Sequence, residues 1–214
     1  LLTIIVFFVA HSRSDFTEER QKPNSLVYVL DSDQNKASWN TYDGILDDWT
    51  KNYIKDETVA EAKNVMDSKY KSGFTFTQEA PVKQVPMPLI ETLKDTIYNN
   101  LRHVDVKITP QRNVNRMEVF TNETLYTSLL VNGLKAKHPN NDWKRLTSYY
   151  VSDNEPLELS FTVKPDAAPE LILYEASFDL MKNSLFSIPA RAKNMMPRPF
   201  VLNDAIIVKK TIRF

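Results

Sequence analysis

Cysteine is absent from this chain of 214 residues, and histidine is scarce. Without cysteine the chain has no thiol nucleophile, no thiolate metal ligand and no disulfide framework. The three histidines, His11, His103 and His138, do not have the spacing of metal ligands, and no His-Glu-x-x-His sequence occurs. The residues of this chain therefore predict no zinc site.

Glycine and net charge are low as well. Only three glycines are present, Gly44, Gly73 and Gly133, so the chain cannot build a glycine-rich loop that cradles phosphate. Lysine and arginine number 27, and aspartate and glutamate also number 27, which gives a net charge of zero. Because the chain has no basic field, we do not expect nucleic acid as a partner.

Side-chain arrangements that carry catalysis are missing too. No serine lies in the sequence context of a nucleophile elbow. Asp47 and Asp48 are adjacent on a predicted helix, where their side chains diverge by about 100° and cannot act together on one bond. We interpret them as part of a solvated first turn. The sequence therefore predicts no catalytic, cofactor-binding or metal-binding residue in this chain.

The longest apolar run is Leu1–Ala10, which contains a single threonine. As a helix it would reach about 15 Å, roughly half the thickness of a hydrocarbon core. We interpret residues 1–10 as the end of a truncated transmembrane helix and the polar residues 11–24 as a juxtamembrane linker. A signal-peptide remnant and a buried core strand are the alternatives, although the run lacks the basic region that precedes a signal sequence.

Residues 25–214 are expected to form a single, mainly β domain. Short strand-like runs are separated by turn signals about every 8–12 residues, which predicts an antiparallel β-sandwich of about 8–10 strands with an N-terminal hairpin. No helix-length pattern alternates with these runs, so crossover units are not expected. The predicted strands are 26–30, 37–42, 74–77, 89–97, 101–109, 116–121, 125–131, 145–151, 157–163, 170–178 and 205–214.

Two short helices are predicted near 43–54 and 59–70. The first has an apolar face that includes Ile45 and Trp49, and we expect Trp49 to anchor this helix to the sheet. The second has a capping box that begins at Thr58.

Two patterns could bind a ligand, and each also has a simpler structural interpretation. Asp31-x-Asp33-x-Asn35 is similar to the start of a calcium loop, but Lys36 and Tyr42 stand where that loop needs glycine and glutamate. We therefore interpret it as a turn rich in Asp and Asn. Aromatic residues could line a sugar- or peptide-binding face, although such residues are more often part of the core. These aromatic residues are Trp39, Trp49, Trp143, Tyr149 and Tyr150.

Three groups of segments together resemble one protein family. The first group is Pro-Asn-Ser-Leu-Val-Tyr-Val-Leu-Asp at 23–31, followed by 35–39 and by Leu-Asp-Asp-Trp-Thr at 46–50. The second is the proline-rich segment 80–88, and the third is Arg-Ala-Lys-Asn-Met-Met-Pro at 191–197 followed by 204–210. In this order, after a membrane span, they resemble the C-terminal domain of multi-span, membrane-bound zinc aminopeptidases of metallopeptidase family twenty-eight. These are similar to endoplasmic-reticulum and vacuolar membrane proteases and their bacterial relatives.

The resemblance covers most of residues 1–214, and none of its motifs is catalytic. It implies a parent protein in which a zinc-dependent peptidase domain comes first, then several membrane spans, and then this domain on the periplasmic or lumenal side. The metal ligands and the general base belong to the first domain, so none is transferred to this chain. The implied partners are the membrane, the peptidase domain and the other spans.

A membrane-tethered module that binds glycan or peptide, without enzymatic activity, is the alternative function. The reading frame upstream of Leu1 distinguishes the two. A zinc-peptidase domain with further spans supports the accessory domain, whereas a start codon just before Leu1 supports the binding module.

Overall fold

The fold is mainly β, as the sequence predicts, with strands arranged in two large sheets and a small third one. The computed structural model describes residues 2–55, 65–67, 73–122, 126–137 and 144–214. One α-helix, α1, spans Leu2–Ser12. The strands are β1 Lys22–Asn24, β2 Val27–Asp31, β3 Lys36–Thr41, β4 Phe76–Ala80, β5 Leu89–Tyr98, β6 Leu101–Thr109, β7 Arg116–Thr121, β8 Ser128–Val131, β9 Leu134–Lys135, β10 Arg145–Tyr150, β11 Leu157–Val163, β12 Glu170–Ser177, β13 Met195–Pro197 and β14 Ala205–Arg213.

The two large sheets are mostly antiparallel. One has seven strands in the order β10-β7-β12-β14-β2-β3-β4, and the other has five in the order β5-β6-β11-β8-β9. Two pairings are parallel, and the antiparallel prediction did not include them. They are β14 with β2 and, in the small sheet, β1 with β13.

The main core lies between the five-stranded sheet and one half of the seven-stranded sheet. Alternate residues of β6, β7, β11 and β12 point into it, as expected for strands with one buried face. Its most buried members are Val104, Ile108, Met117, Val119, Leu157, Leu159, Val163, Leu171 and Leu173.

Among the described residues, the five-stranded sheet does not cover the other half of the seven-stranded sheet, although Met195 of the small sheet packs there. Loops cover it instead, and they contribute Leu46, Trp49, Ile54, Val85 and Leu180 to a second core. The sequence predicts that Trp49 anchors a helix to the sheet. Its side chain is buried in this cluster, at 6% exposed, but it lies in a loop rather than on that helix.

A third apolar cluster covers the reverse face of the seven-stranded sheet. It includes Val27 and Val29 of β2 and Ile207 of β14, and Phe74 packs on them. Val65 and Met66 lie against the same cluster.

The predicted N-terminal hairpin is formed by β2 and β3. Two further hairpins are explained by their turn residues. The chain turns at Asn99 and Asn100 between β5 and β6, with φ of 49° and 58°. It turns again at Asn132 and Gly133, with φ of 47° and 74°, between β8 and β9. Asparagine and glycine tolerate this left-handed region best, and two such residues in a row make the turn that matches the twist of paired strands.

The helix predicted near 43–54 is wrong. Only a 3-10 turn at Thr50–Asn52 forms there, and Ile45 is 78% exposed. The carboxylate of Asp47 accepts the backbone N–H of Trp49 and of Thr50, so this side chain offers the backbone an alternative to helical hydrogen bonds. The helix predicted at 59–70 lies outside the described residues, apart from 65–67.

The N-terminal apolar run forms α1, and none of its residues is buried. The helix extends two residues into the predicted linker, and the last three residues of that linker form β1. Among the residues that the structure describes, no helix has the length and apolar character needed to cross a membrane.

Candidate functional site

The two ends of the seven-stranded sheet carry different kinds of side chain. We call the end at which β2 and β14 begin the linker end, because β1, which follows the predicted linker, hydrogen-bonds to β13 beside it. We call the opposite end the turn end, because it carries the turn between β2 and β3. Buried charges gather at the linker end, so this end is the first candidate site.

Asp47 organises the first loop at the linker end. Its Oδ1 accepts hydrogen bonds from the Thr50 hydroxyl at 2.6 Å and from the Thr50 backbone N–H at 2.9 Å. Its Oδ2 accepts one from Asn24 at 2.8 Å. Burial raises the pKa of Asp47, but these donors offset that effect and hold the pKa below its usual value. Asp47 is therefore a buried structural anion, which corrects its interpretation as part of a solvated turn.

Arg191 joins the loop after β12 to the start of β14. Its two terminal nitrogens donate to both carboxylate oxygens of Asp204, at 2.8 and 2.6 Å. Its Nε donates to Asn24 Oδ1 at 2.5 Å, and its guanidinium lies 4.4 Å from the centre of the Trp49 ring. A bidentate, stacked arginine of this kind fixes orientation as well as distance.

Asn24 connects the two arrangements. It is fully buried, and its side chain bridges Asp47 and Arg191. Its backbone carbonyl accepts from the backbone N–H of Arg198 at 2.7 Å and from Asn203 at 3.0 Å. The polar groups of this cluster are hydrogen-bonded to one another. They therefore stabilise the linker end and are not free for catalysis.

A second buried charge lies where the two cores meet. Glu175 is completely buried, and its carboxylate is 3.0 Å from the Nε of Arg112. Arg112 also donates to the Ser177 hydroxyl and to the backbone carbonyl of Glu175. Burial raises the pKa of Glu175 to about 7, although Arg112 lowers it. A buried carboxylate of this kind can hold a proton. The Ser177 hydroxyl donates to the Asp179 carboxylate, so Arg112 lies between two acidic groups.

A groove of about 550 Å³ opens on the reverse face near the turn end. Charged residues of both signs line it, and Lys209 forms an ion pair with Asp31 at 2.9 Å. Lys36 and Glu79, each of which is paired in the sheet through its backbone, also line the groove, and among the described residues neither side chain has a hydrogen-bond or ion-pair partner. A groove with both a cation and an anion on its lining is suited to bind a small charged ligand.

The calcium-like pattern forms a turn, as predicted. Asp31 Oδ1 accepts the backbone N–H of Asp33 and of Gln34, each at 3.1 Å, which is the hydrogen bonding of an Asx turn. Its other oxygen is bonded to Lys209. Asp33 is bonded to Lys210 and to the backbone of Thr211.

The histidines are not brought together. His11 lies at the end of α1, and His103 lies on the outer face of β6, where its ring stacks on Tyr98 with centroids 3.7 Å apart. His138 lies outside the described residues. Within the described part of the chain, no group of three or more acidic or histidine side chains could hold a metal ion.

The aromatic residues proposed as a ligand face divide into two groups. Trp39 and Trp49 are core residues, and Trp39 packs against Tyr28 and Phe186 with ring centroids 5.1 and 5.7 Å apart. Tyr149 packs against the main core, Tyr150 is 69% exposed, and Trp143 lies outside the described residues. The four aromatics that the structure describes therefore do not form one face.

The structure does bring together segments that lie far apart in the sequence. Asn24, Asp47, Arg191 and Asp204 belong to the first and third groups of segments quoted above, and they form one hydrogen-bonded cluster. Sequence reasoning did not find this cluster, because its members are separated by up to 180 positions. The buried pair Arg112–Glu175 was also missed. The alternation of apolar residues along β12 offered the only signal, since Glu175 occupies an inward-facing position between them.

Comparison with known proteins adds no assignment. A scan of the chain against protein-family models finds no match, and a search of curated proteins finds none.

Proposed function

We propose that this chain is the non-catalytic C-terminal domain of a membrane-anchored, zinc-dependent exopeptidase of the aminopeptidase type. It would lie on the periplasmic or lumenal side, beside the peptidase domain that carries the zinc. The observation that supports this proposal most strongly is the cluster at the linker end. The family-like segments around Asn24, Asp47 and Arg191 are hydrogen-bonded together where the chain enters the β domain at β1.

The chemistry of the cluster is consistent with a scaffold role. Its charged groups are bonded to one another and packed against Trp49, so they are not available to a substrate. An arrangement of this kind holds the domain in one orientation relative to the preceding linker. A defined orientation is what a domain beside a peptidase cleft requires if it covers or orients that cleft.

The test is to isolate the intact polypeptide from its own membranes with an antibody against residues 25–214. The proposal predicts a polypeptide much longer than this chain, with stoichiometric zinc and aminopeptidase activity. An intact polypeptide that has the mass of this chain alone, and that has neither zinc nor activity, would contradict it.

The alternative of a tethered binding module is favoured by one observation, the groove near the turn end. Lys36 and Glu79 place a cation and an anion on its lining, as a zwitterionic ligand such as a short peptide would need. Titration calorimetry with dipeptides tests this candidate. Binding that is lost in both Lys36→Met and Glu79→Gln, with unchanged melting temperatures, would support the binding module, and no measurable binding would eliminate it for this ligand class.

A further inference from the structure

Large apolar side chains are exposed in a row along the linker end of the seven-stranded sheet. Tyr150 ends β10, Phe178 follows β12, Phe200 precedes β14, and Ile45 follows β3. They are 69%, 48%, 104% and 78% exposed, respectively. At the turn end, the only exposed large apolar residue among those described is Val82, at 37%. Single exposed apolar residues are ordinary, but a concentration at one end indicates an interaction surface.

Phe200 is the most unusual member of this row. Its side chain is fully exposed, and its φ is +64°, a left-handed conformation that a bulky side chain rarely adopts. Leu202, two residues later, is buried in the third cluster, and the backbone N–H of Arg198, two residues earlier, is bonded to Asn24. The loop is therefore fixed on both sides of a ring that has no contact to compensate its conformation.

Ile45 is held next to this loop. The Arg198 guanidinium donates to the Tyr42 carbonyl at 3.0 Å and to the Asp43 carboxylate at 3.3 Å. The loop that carries Ile45 and the loop that carries Phe200 are thus bonded together through Arg198. Ile45 and Phe200 are therefore exposed on two loops that are hydrogen-bonded to each other.

The linker enters the domain at this same end. The side chain of Gln21 donates to the Lys193 carbonyl at 2.8 Å, and the backbone of Lys22 donates to that of Asn194 at 2.8 Å. Only residues 13–21 separate this point from α1, and nine residues reach at most about 30 Å. Whatever apolar medium contains α1 therefore lies within reach of the linker end.

We propose that the linker end is a second membrane-contact surface, in which Phe200 and Ile45 insert into the lipid interface and Tyr150 and Phe178 lie at headgroup level. This inference rests on the proposed function, because it assumes that α1 is in a membrane. Aromatic residues favour the boundary between lipid and water. Continuity with the apolar helix is the reason for choosing lipid rather than a second copy of the chain.

The experiment uses the complete chain of 214 residues, reconstituted into vesicles of phosphatidylcholine and phosphatidylglycerol. Because the chain has no cysteine, a single introduced cysteine can carry an environment-sensitive fluorophore. The labelled variants are Phe200→Cys and Ile45→Cys, with Val82→Cys at the turn end as the matched control and Val9→Cys in α1 as the reference for anchoring. Lipids with brominated acyl chains serve as depth-dependent quenchers.

The proposal predicts a blue shift and bromine quenching at positions 200 and 45, and neither at position 82. Insertion at position 9 without insertion at 200 and 45 would overturn this inference and leave the proposed function intact. Absence of insertion at position 9 as well would also overturn the inference, because α1 would then not hold the linker end at lipid, whereas the proposed function is tested separately by the mass, zinc content and activity of the intact polypeptide. Equal quenching at positions 82 and 200 would also overturn the inference. So would a lipid-independent shift at position 200 that accompanies dimerisation in sedimentation, because a second copy would then cover the surface.

Discussion

Two ion pairs at opposite ends of the seven-stranded sheet differ in their exposure to water, because Arg191–Asp204 at the linker end is largely covered and Arg213–Glu170 at the turn end is more exposed. The Arg191 and Asp204 side chains are 9% and 19% exposed, while those of Arg213 and Glu170 are 71% and 33% exposed. The N–O distances, 2.6 and 2.8 Å, are nearly the same. Among the described residues at the two ends of this sheet, four large apolar side chains, including Phe200, are exposed at the linker end and one, Val82, is exposed at the turn end.

This contrast shows that equal distances do not imply equal energies. An exposed ion pair contributes about 0–1 kcal/mol, because water and salt screen it. A covered pair has lost its hydration and depends on its partners, so removal of one member is far more damaging.

The largest expected effect concerns Trp49. Its ring is buried in the second core, its Nε1 donates to the Pro189 carbonyl at 2.9 Å, and the Arg191 guanidinium lies over it. Trp49→Ala should lower the free energy of unfolding by about 3–5 kcal/mol, as measured by urea denaturation. The control is Tyr150→Ala at the exposed row, which should change it by less than about 0.5 kcal/mol. Equal effects of the two variants would contradict the account.

The second prediction compares the two ion pairs directly. Arg191→Met should destabilise the protein by about 3 kcal/mol, because Asp204 and Asn24 lose a partner in a covered site. Arg213→Met removes an exposed partner of Glu170 and should have an effect of less than about 1 kcal/mol. Both are measured by thermal and urea unfolding. An Arg213→Met effect as large as that of Arg191→Met would remove the distinction between the two ends.

The third prediction concerns Asp47, which holds the linker-end loop in place of a helix. Asp47→Ala should lower the free energy of unfolding, measured by urea denaturation, by about 1–2 kcal/mol, because the backbone N–H groups of Trp49 and Thr50 lose their acceptor. Asp48→Ala, at the exposed neighbouring position, is the matched control and should be close to neutral. A neutral Asp47→Ala variant would show that these hydrogen bonds do not hold the loop.

The fourth prediction separates two buried carboxylates by their pH dependence. The pKa of Asp47 is lowered below the ordinary 3.8, so its stabilising contribution is present above that pH and is lost as pH falls further. Burial raises the pKa of Glu175 from 4.5 to about 7, so its contribution is present below pH 4.5 and is lost as pH rises to 7. Urea denaturation between pH 4.5 and about 7 should show a free energy of unfolding that falls as pH rises, and Glu175→Gln should abolish this fall. An unchanged decline in that variant would refute the assignment.

The smallest expected effect is at the turn end. Asp33 accepts from Lys210 at 2.6 Å, but both side chains are partly exposed. Lys210→Met should therefore change stability by only about 0.2–1 kcal/mol, and the change should shrink in high salt. A larger, salt-independent effect would mean that the turn end is also covered.

Local chemistry made the strands and hairpins predictable. The Asn99-Asn100 and Asn132-Gly133 turns carry their own conformational preference, so the neighbouring residues decide the structure. The helix near 43–54 failed for a physical reason that the periodic pattern does not contain. The Asp47 side chain bonds the backbone of the next turn and competes with helical hydrogen bonds.

The cluster around Arg191 could not be predicted from the sequence. Asn24 and Arg191 are 167 positions apart, and only the parallel pairing of β14 with β2, together with that of β1 with β13, brings their segments to the same end of the sheet. Neither parallel pair has a signature in the alternation of apolar residues, which is the same for parallel and antiparallel edges. The four exposed apolar residues at the linker end could not be predicted for the same reason, because the order of the strands decides which of them lie at one end.

The central claim is that the linker end lies against a membrane and the turn end lies in water. The most direct test places a nitroxide at Phe200→Cys or at Asp33→Cys in the complete chain bound to bilayers, and compares relaxation by oxygen with relaxation by a water-soluble nickel complex. The account predicts that oxygen dominates at position 200 and nickel at position 33. Nickel dominance at both positions would contradict it.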